Sequence, residues 1–321
     1  MRIAASFHDS SVLLPARSGC GDGSAAVDTL DAVSRLIVNA DDFGLTSGVN
    51  RAIAELHAAG LVTSTSLMAC AEATGEAIEM ARAAPSLGVG CHIVLADGRP
   101  ALAPERIPSL VDAQTGEFLP TLPAFLLRLF TGRIRTAEVE AEASAQIALL
   151  QSQGVRLTHI DTHKHTHIFP AVLRAVLRAA RDAGIRAVRH PFEPEWAVRA
   201  SRGAPLVRIA ELAVLRRLAP RSRRILGNEG FSTTDGTIAM ASTGNLSADG
   251  LRALLRKMPA GDWELVTHPG YNDADLDRVR TRLRASRDAE RLALTAIREA
   301  PGIELVSFAA LARAAAEANG S

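Results

Sequence analysis

Leu36-Ile37-Val38-Asn39-Ala40-Asp41-Asp42-Phe43-Gly44 runs from an apolar stretch into two adjacent carboxylates, an aromatic ring and a glycine. Leu36–Ala40 reads as a buried strand, and Ser47–Ala59, with Val49, Ile53 and Leu56 on one side, reads as the helix that follows. Two carboxylates at a strand-to-helix junction repel one another when both are ionised. A divalent cation removes that cost: one carboxylate binds it, and its neighbour stays close enough to act as a base on a metal-activated water. A plain turn with an Asp cap uses the same letters. What separates the two readings is where the rest of the chain puts its ionisable groups.

Outward from this stretch, short apolar runs alternate with helical ones. Strands are expected at Val62–Ala69, Leu87–Leu95, Leu157–Asp161, Ala187–Arg189, Glu264–Thr267 and Ile303–Val306. Helices are expected at Glu72–Ala84, Leu122–Thr131, Thr136–Gln153, Ala171–Ala183, Ser247–Lys257, Val279–Ala300 and Phe308–Ala318. Strands separated by helices imply a mainly parallel sheet, and about seven such units favour an α/β fold of the barrel or distorted-barrel kind. Residues 1–34 read as a flexible leader, and residues 35–321 as a single domain interrupted by a helical excursion at about 193–230.

On this map the ionisable residues gather at the carboxyl ends of strands, where parallel barrels build their sites. Asp41 and Asp42 follow the first strand, His92 lies late in the third, Asp161 and His163 close the Leu157 strand, Arg189 ends the Ala187 strand, and His268 follows Val266-Thr267. Asp42, His92 and His163 make a two-histidine, one-carboxylate set that leaves positions open for water. Imidazole and carboxylate suit magnesium, manganese, zinc or iron, with Mg2+ or Zn2+ the expected single divalent ion. Asp161 is placed to orient a neighbouring ligand. In His163-Lys164-His165-Thr166-His167, extended backbone would put the three imidazoles on one side, with His163 the ligand, His165 a substrate contact and His167 packing before Pro170. His159 reads as a buried strand residue, and Cys91 as a buried thiol pointing away from His92.

Between Arg199 and Arg224 stand eight arginines against the single acid Glu211, beside an apolar set that includes Leu206, Ile209, Leu212 and Leu215. A basic amphipathic helix fits either a solvated face capping the barrel or contact with an anionic membrane surface or a lipid-like substrate. Phe118–Phe130 reads as a hydrophobic lid or an oligomer contact. The net charge of +1 gives no reason to expect nucleic acid. Three scattered cysteines suggest neither a disulfide framework nor a cysteine zinc site, so the expected location is cytoplasmic, with peripheral membrane association as its extension. No Gly-x-Ser-x-Gly, P-loop or Gly-x-Gly-x-x-Gly stands between a strand and a helix, which disfavours serine-hydrolase and nucleotide chemistry.

Asn39–Gly44, Val62-Thr63-Ser64-Thr65, Gly90-Cys91-His92, Asp161-Thr162-His163-Lys164-His165 and Thr267-His268-Pro269-Gly270 form an ordered set that resembles the YdjC-like carbohydrate deacetylases, over about Leu36 to Phe308. The resemblance implies a distorted TIM-like barrel, often dimeric. It implies metal ligation by Asp42, His92 and His163, with Asp41 as the catalytic base, and a substrate that is an N-acetylated amino sugar, free or lipid-linked. Cys91 stands where the family often has Met or another apolar residue, and Thr267 where Cys is common. Within this scheme His268 is the candidate acid for the leaving amine, and Arg189 either supports Asp41 or binds substrate. The rivals are another mononuclear metallohydrolase, such as an amidase or phosphoesterase, and a non-catalytic sugar- or lipid-binding relative.

Overall fold

A computed structural model describes residues 34–201 and 204–313. Residues 1–33 of the expected leader, Arg202 of the arginine run and the end of the last helix lie outside the described residues. Seven parallel strands form the sheet: β1 (Ser34–Phe43), β2 (Ser64–Leu67), β3 (Gly88–Ile93), β4 (Leu157–Thr162), β5 (Gly236–Ile238), β6 (Gly261–Thr267) and β7 (Ile303–Val306). Their order is β4-β3-β2-β1-β6-β5, and β7 joins β1. β1 is the hub: β6 pairs with Ser34–Ala40, while β7 takes the segment from Ser34 to Ile37 and β2 takes Asn39 to Phe43. Beyond β4, single bridges Ile160↔Val188 and Ala187↔Ser232 curl the sheet onward without closing it. The result is an incompletely closed half-barrel flanked by helices, a distorted relative of the TIM architecture.

The helices follow from their caps and apolar spacing. In α1 (Ser47–Ala58) the Thr46 hydroxyl accepts from Val49 N at 3.2 Å, and Val49, Ala52, Ile53 and Leu56 are buried on the i, i+3, i+4, i+7 stripe. α2 (Thr74–Ala83), α3 (Leu122–Phe130) and α4 (Thr136–Ser152) come next, then α5 (Pro170–Asp182), which opens on a proline whose missing N–H costs nothing in the first turn. The excursion is helical: α6 (Glu195–Ala200), α7 (Leu206–Leu215), a short 3₁₀ turn over Arg216–Leu218 and α8 (Ala219–Asn228). α9 (Ala248–Leu255) and α10 (Arg284–Ala293) complete the set, and the chain turns helical again from Phe308. No helix among the described residues is long and apolar enough to cross a membrane. Phe118, Leu119 and Phe125 of the expected lid are core residues, whereas Leu127 and Phe130 are exposed, Phe130 meeting Phe169 edge-on.

Several expectations need correction. The long helix expected over Val279–Ala300 starts only at Arg284 and is two pieces, α10 and a 3₁₀ segment over Leu294–Glu299; a separate 3₁₀ turn at Leu276–Arg278 lies before it. Ala187–Arg189 shrinks to bridges, and Pro191, two residues on, offers no N–H for a longer ladder. β5 was not anticipated, since Gly236-Thr237-Ile238 is too short to show periodicity. The two carboxylates lie within β1 rather than after it, and Ser34 already belongs to that strand. Finally, His163–Ile168 is a 3₁₀ segment in which Lys164 (φ 55°) and His165 (φ 53°) adopt left-handed backbone, so the expected strand-like alternation of the three histidines does not occur.

Candidate metal centre

Successive residues of a regular strand point to opposite faces, yet Asp41 and Asp42 reach the same cluster. The reason is local. The pairing of β1 with β2 shifts register between Ala40 and Phe43, and Asp42 sits at φ 66°. Asp tolerates left-handed backbone better than most side chains, and such strain is held where the surroundings enforce it. Gly44, at φ 95°, completes the turn, with its N–H donating to Asn50 Oδ1 at 2.7 Å.

Asp42, His92 and His163 converge. Asp42 Oδ1 lies 3.3 Å from His163 Nδ1 and 3.6 Å from His92 Nε2, and the two ring nitrogens are 3.2 Å apart. His92 donates through Nδ1–H to Asp161 Oδ1 at 2.9 Å, which turns the lone pair of Nε2 toward Asp42 and His163. Asp42 Oδ1 is buried without a hydrogen-bond partner, while Oδ2 of the same carboxylate accepts from Arg287 Nη2 at 2.5 Å. An orphaned carboxylate oxygen facing two imidazole nitrogens is a donor set that fits a divalent cation. Asp41, His92 and Asp161 form a second group able to hold an ion. Asp41 and Asp161 are, however, both engaged by Arg189, which leaves the first group the better cradle.

The electrostatics agree with that division. Burial opposes the charged form of Asp42, but Arg287 and then His163 hold it well below the usual carboxylate range. Burial pushes His163 below the ordinary histidine value despite Asp42, so this ring is neutral, as a ligand must be. Burial also opposes a charge on His92, but Asp161 overrides it and raises the ring to about 9. An ion held at Nε2 would therefore displace a proton there.

Arg189, completely buried, organises the second layer. It donates from Nη1 and Nη2 to the two oxygens of Asp41 at 2.8 and 2.5 Å, from Nε to Glu264 Oε1 at 2.8 Å, and pairs with Asp161. Burial raises Glu264 to about 7, although Arg189 pulls the other way. Asn39 Nδ2 adds a hydrogen bond to Asp41 Oδ1 at 2.9 Å. His268 Nε2 is 3.9 Å from Asp41 Oδ2, and its backbone N–H donates to Glu290 Oε2 at 2.7 Å. Burial would keep this ring neutral, but Glu290 and then Asp41 and Asp42 raise its pKa above the ordinary value.

The other histidines divide as their surroundings dictate. His165 stands beside the cluster with Nδ1 buried and unpartnered, and burial followed by Arg189 lowers its pKa well below the usual value. His167 is a clamp: its Nδ1 meets Thr162 Oγ1 at 2.7 Å and its Nε2 meets Arg189 O at 3.2 Å. His159 stacks on Phe308 at 4.0 Å, and Gly90 makes room for it, since a Cβ there would sit 2.4 Å from the imidazole. Cys91 is fully buried and its thiol pushed well up by burial.

Arg287, Glu290 and Glu264 were absent from the sequence-based set. A signal existed for the first two. Arg287, Glu290, Leu294 and Ile297 recur at i, i+3, i+7 and i+10, so two charged residues occupy the buried stripe of an amphipathic segment.

The YdjC-like protein family model matches residues 35–299. A carbohydrate deacetylase of Thermoanaerobacter pseudethanolicus is 30% identical over 260 residues, covering 81% of this chain and 90% of the relative. One from Clostridium beijerinckii is 36% identical over 75% of this chain and 84% of its own length. The crystal structure of a protein from Enterococcus faecalis V583 superimposes with a TM-score of 0.67 at 29% identity, covering 87% of this chain and 99% of that one. The family match spans β1 to β6 and every member of the Asp42, His92 and His163 cluster, and on that ground the chain belongs to the YdjC-like family.

Proposed function

We propose that this protein is a metal-dependent N-deacetylase that removes the acetyl group from an N-acetylated amino sugar. The observation that carries the reading is the convergence of Asp42 Oδ1, His92 Nε2 and His163 Nδ1 beside Asp41 and His268. Asp42, His92 and His163 would hold the ion, which supplies polarisation of the acetamide carbonyl and a water of lowered pKa. Asp41, clamped through both oxygens by Arg189, is aimed so that it can take a proton from the attacking water. His268, favoured in its protonated form by Glu290, gives a proton to the departing amine nitrogen. Asp161 holds the His92 tautomer. The amide C–N bond breaks, and the products are acetate and the free amino sugar. The identity of the relatives as carbohydrate deacetylases supports the substrate class.

The test is a panel of acetylated substrates, both soluble chito-oligosaccharides and lipid-linked N-acetylglucosamine, assayed for acetate and free amine with and without a chelator. Metal-dependent acetate release from at least one acetylated sugar is the expected result. Phosphate release from phosphorylated sugars without acetate from any acetylated one would replace the deacetylase with a phosphoesterase.

A further inference from the structure

The arginine-rich excursion contains a concavity that the reaction above does not use. Arg217, Arg221, Arg224 and Asn228 fall at i, i+4, i+7 and i+11 of the helical run formed by the 3₁₀ turn and α8, and so lie close to one stripe. Together with Arg174 of α5, Pro220 and Ile225 they line a cavity of about 590 Å³. All four guanidinium-bearing residues are exposed, and none has an ion pair or hydrogen bond among the described residues. Their neighbours differ. Arg199 and Arg216 share Glu195, Arg208 pairs with Glu211, Arg181 with Glu229, and Arg223 donates to the Asp235 carbonyl. The unpartnered arginines are the ones that converge.

Like charges one helical turn apart repel, and nothing within the described chain offsets that repulsion here. A compact anion with several oxygens reverses the sign. Each guanidinium presents a planar fork of N–H donors that matches two phosphate oxygens. A carboxylate holds its two oxygens in one plane, whereas tetrahedral phosphorus spreads its oxygens so that forks arriving from several directions each find an acceptor. We infer that this cavity is a binding site for a phosphate group, carried by a lipid headgroup or by a soluble phosphate. The adjoining α7 leaves Leu206, Val207 and Val214 exposed, as contact with a bilayer requires, so both sources are tested.

The full-length protein is titrated with inorganic phosphate by calorimetry. It is also cosedimented with phosphatidylcholine vesicles, with and without phosphatidylglycerol. Arg221→Gln/Arg224→Gln is compared with Arg252→Gln/Arg298→Gln, which removes two charges elsewhere on the surface. The expected result is binding to inorganic phosphate or to the phosphatidylglycerol vesicles, weakened at least tenfold in the first double variant and within twofold of wild type in the second. Binding to phosphate alone assigns a soluble ligand, and binding to anionic vesicles alone assigns a headgroup; both support the site. Binding to neither probe overturns it, as does an equal loss in the two double variants.

Discussion

Arg287 Nη2 donates to Asp42 Oδ2 at 2.5 Å, across 245 positions of sequence, and leaves Oδ1 as the oxygen turned toward His92 and His163. The arginine thus decides which oxygen of Asp42 is available to an ion. Replacing it by Met removes the clamp and leaves a buried carboxylate without its cation, at a cost of about 3–5 kcal/mol in stability. Metal affinity should fall on the order of 10- to 100-fold, as for other residues that hold a ligand in place. Competition with a chromogenic chelator measures this, and an unchanged dissociation constant in the folded variant would refute the role.

Asp41→Asn keeps the shape of the side chain but removes its capacity to accept a proton. Turnover should drop roughly 10²- to 10⁴-fold, with the metal content of the purified variant unchanged. Metal retained together with near-normal acetate release excludes Asp41 as the base.

The raised pKa of His92, about 9 through Asp161, makes metal affinity depend on pH. Below that value a proton must leave before the lone pair of Nε2 is free. Apparent affinity should therefore weaken about tenfold for each unit of falling pH between pH 8 and pH 6. Affinity that stays flat across this range, read by calorimetry in buffers of different ionisation enthalpy, would contradict the assignment.

Glu193 lies outside the metal cluster and gives a stability test. Its Oε2 accepts from Ala241 N at 2.6 Å, its Oε1 is buried and unpartnered, and burial raises its pKa to about 7 although backbone N–H groups oppose the shift. A carboxyl whose folded pKa lies above its unfolded value binds more protons when folded. Its contribution is complete below about pH 4.5 and is lost as pH rises toward 7, at no more than about 1.4 kcal/mol per pH unit. Glu193→Gln should therefore gain stability relative to wild type between pH 5 and pH 8. Parallel urea-unfolding curves for the two proteins at both pH values would rule this out.

Much of the architecture was legible because parallel strands buried on both faces read as apolar runs, and Leu36–Ala40 and Leu87–Leu95 are such runs. Leu157–Asp161 and Ile303–Val306 carry polar residues and are legible from their place between helical segments. The three ligand candidates were legible for a related reason: Asp42 follows the apolar part of β1, His92 falls late in β3, and His163 comes directly after β4. What the letters could not express was backbone that leaves the expected period. Asp42 at φ 66° and the Lys164–His165 pair break the alternation on which side-chain direction had been inferred. Nor could local pattern reveal Arg287, whose partner is remote in sequence, or Glu264, which looked like one more residue of a strand until Arg189 was seen against it.

β1 is completed along one edge by two strands: β2 beside the half that carries the carboxylates and β7 beside the half that begins it. During synthesis the latter partner emerges last. Until Ile303–Val306 arrives, the backbone groups of Ser34–Ile37 stand open on that side, a template for another nascent chain. The strand that bears Asp41 and Asp42 thus keeps part of one edge open until β7 is made, and chains halted short of Ile303 should partition toward aggregates.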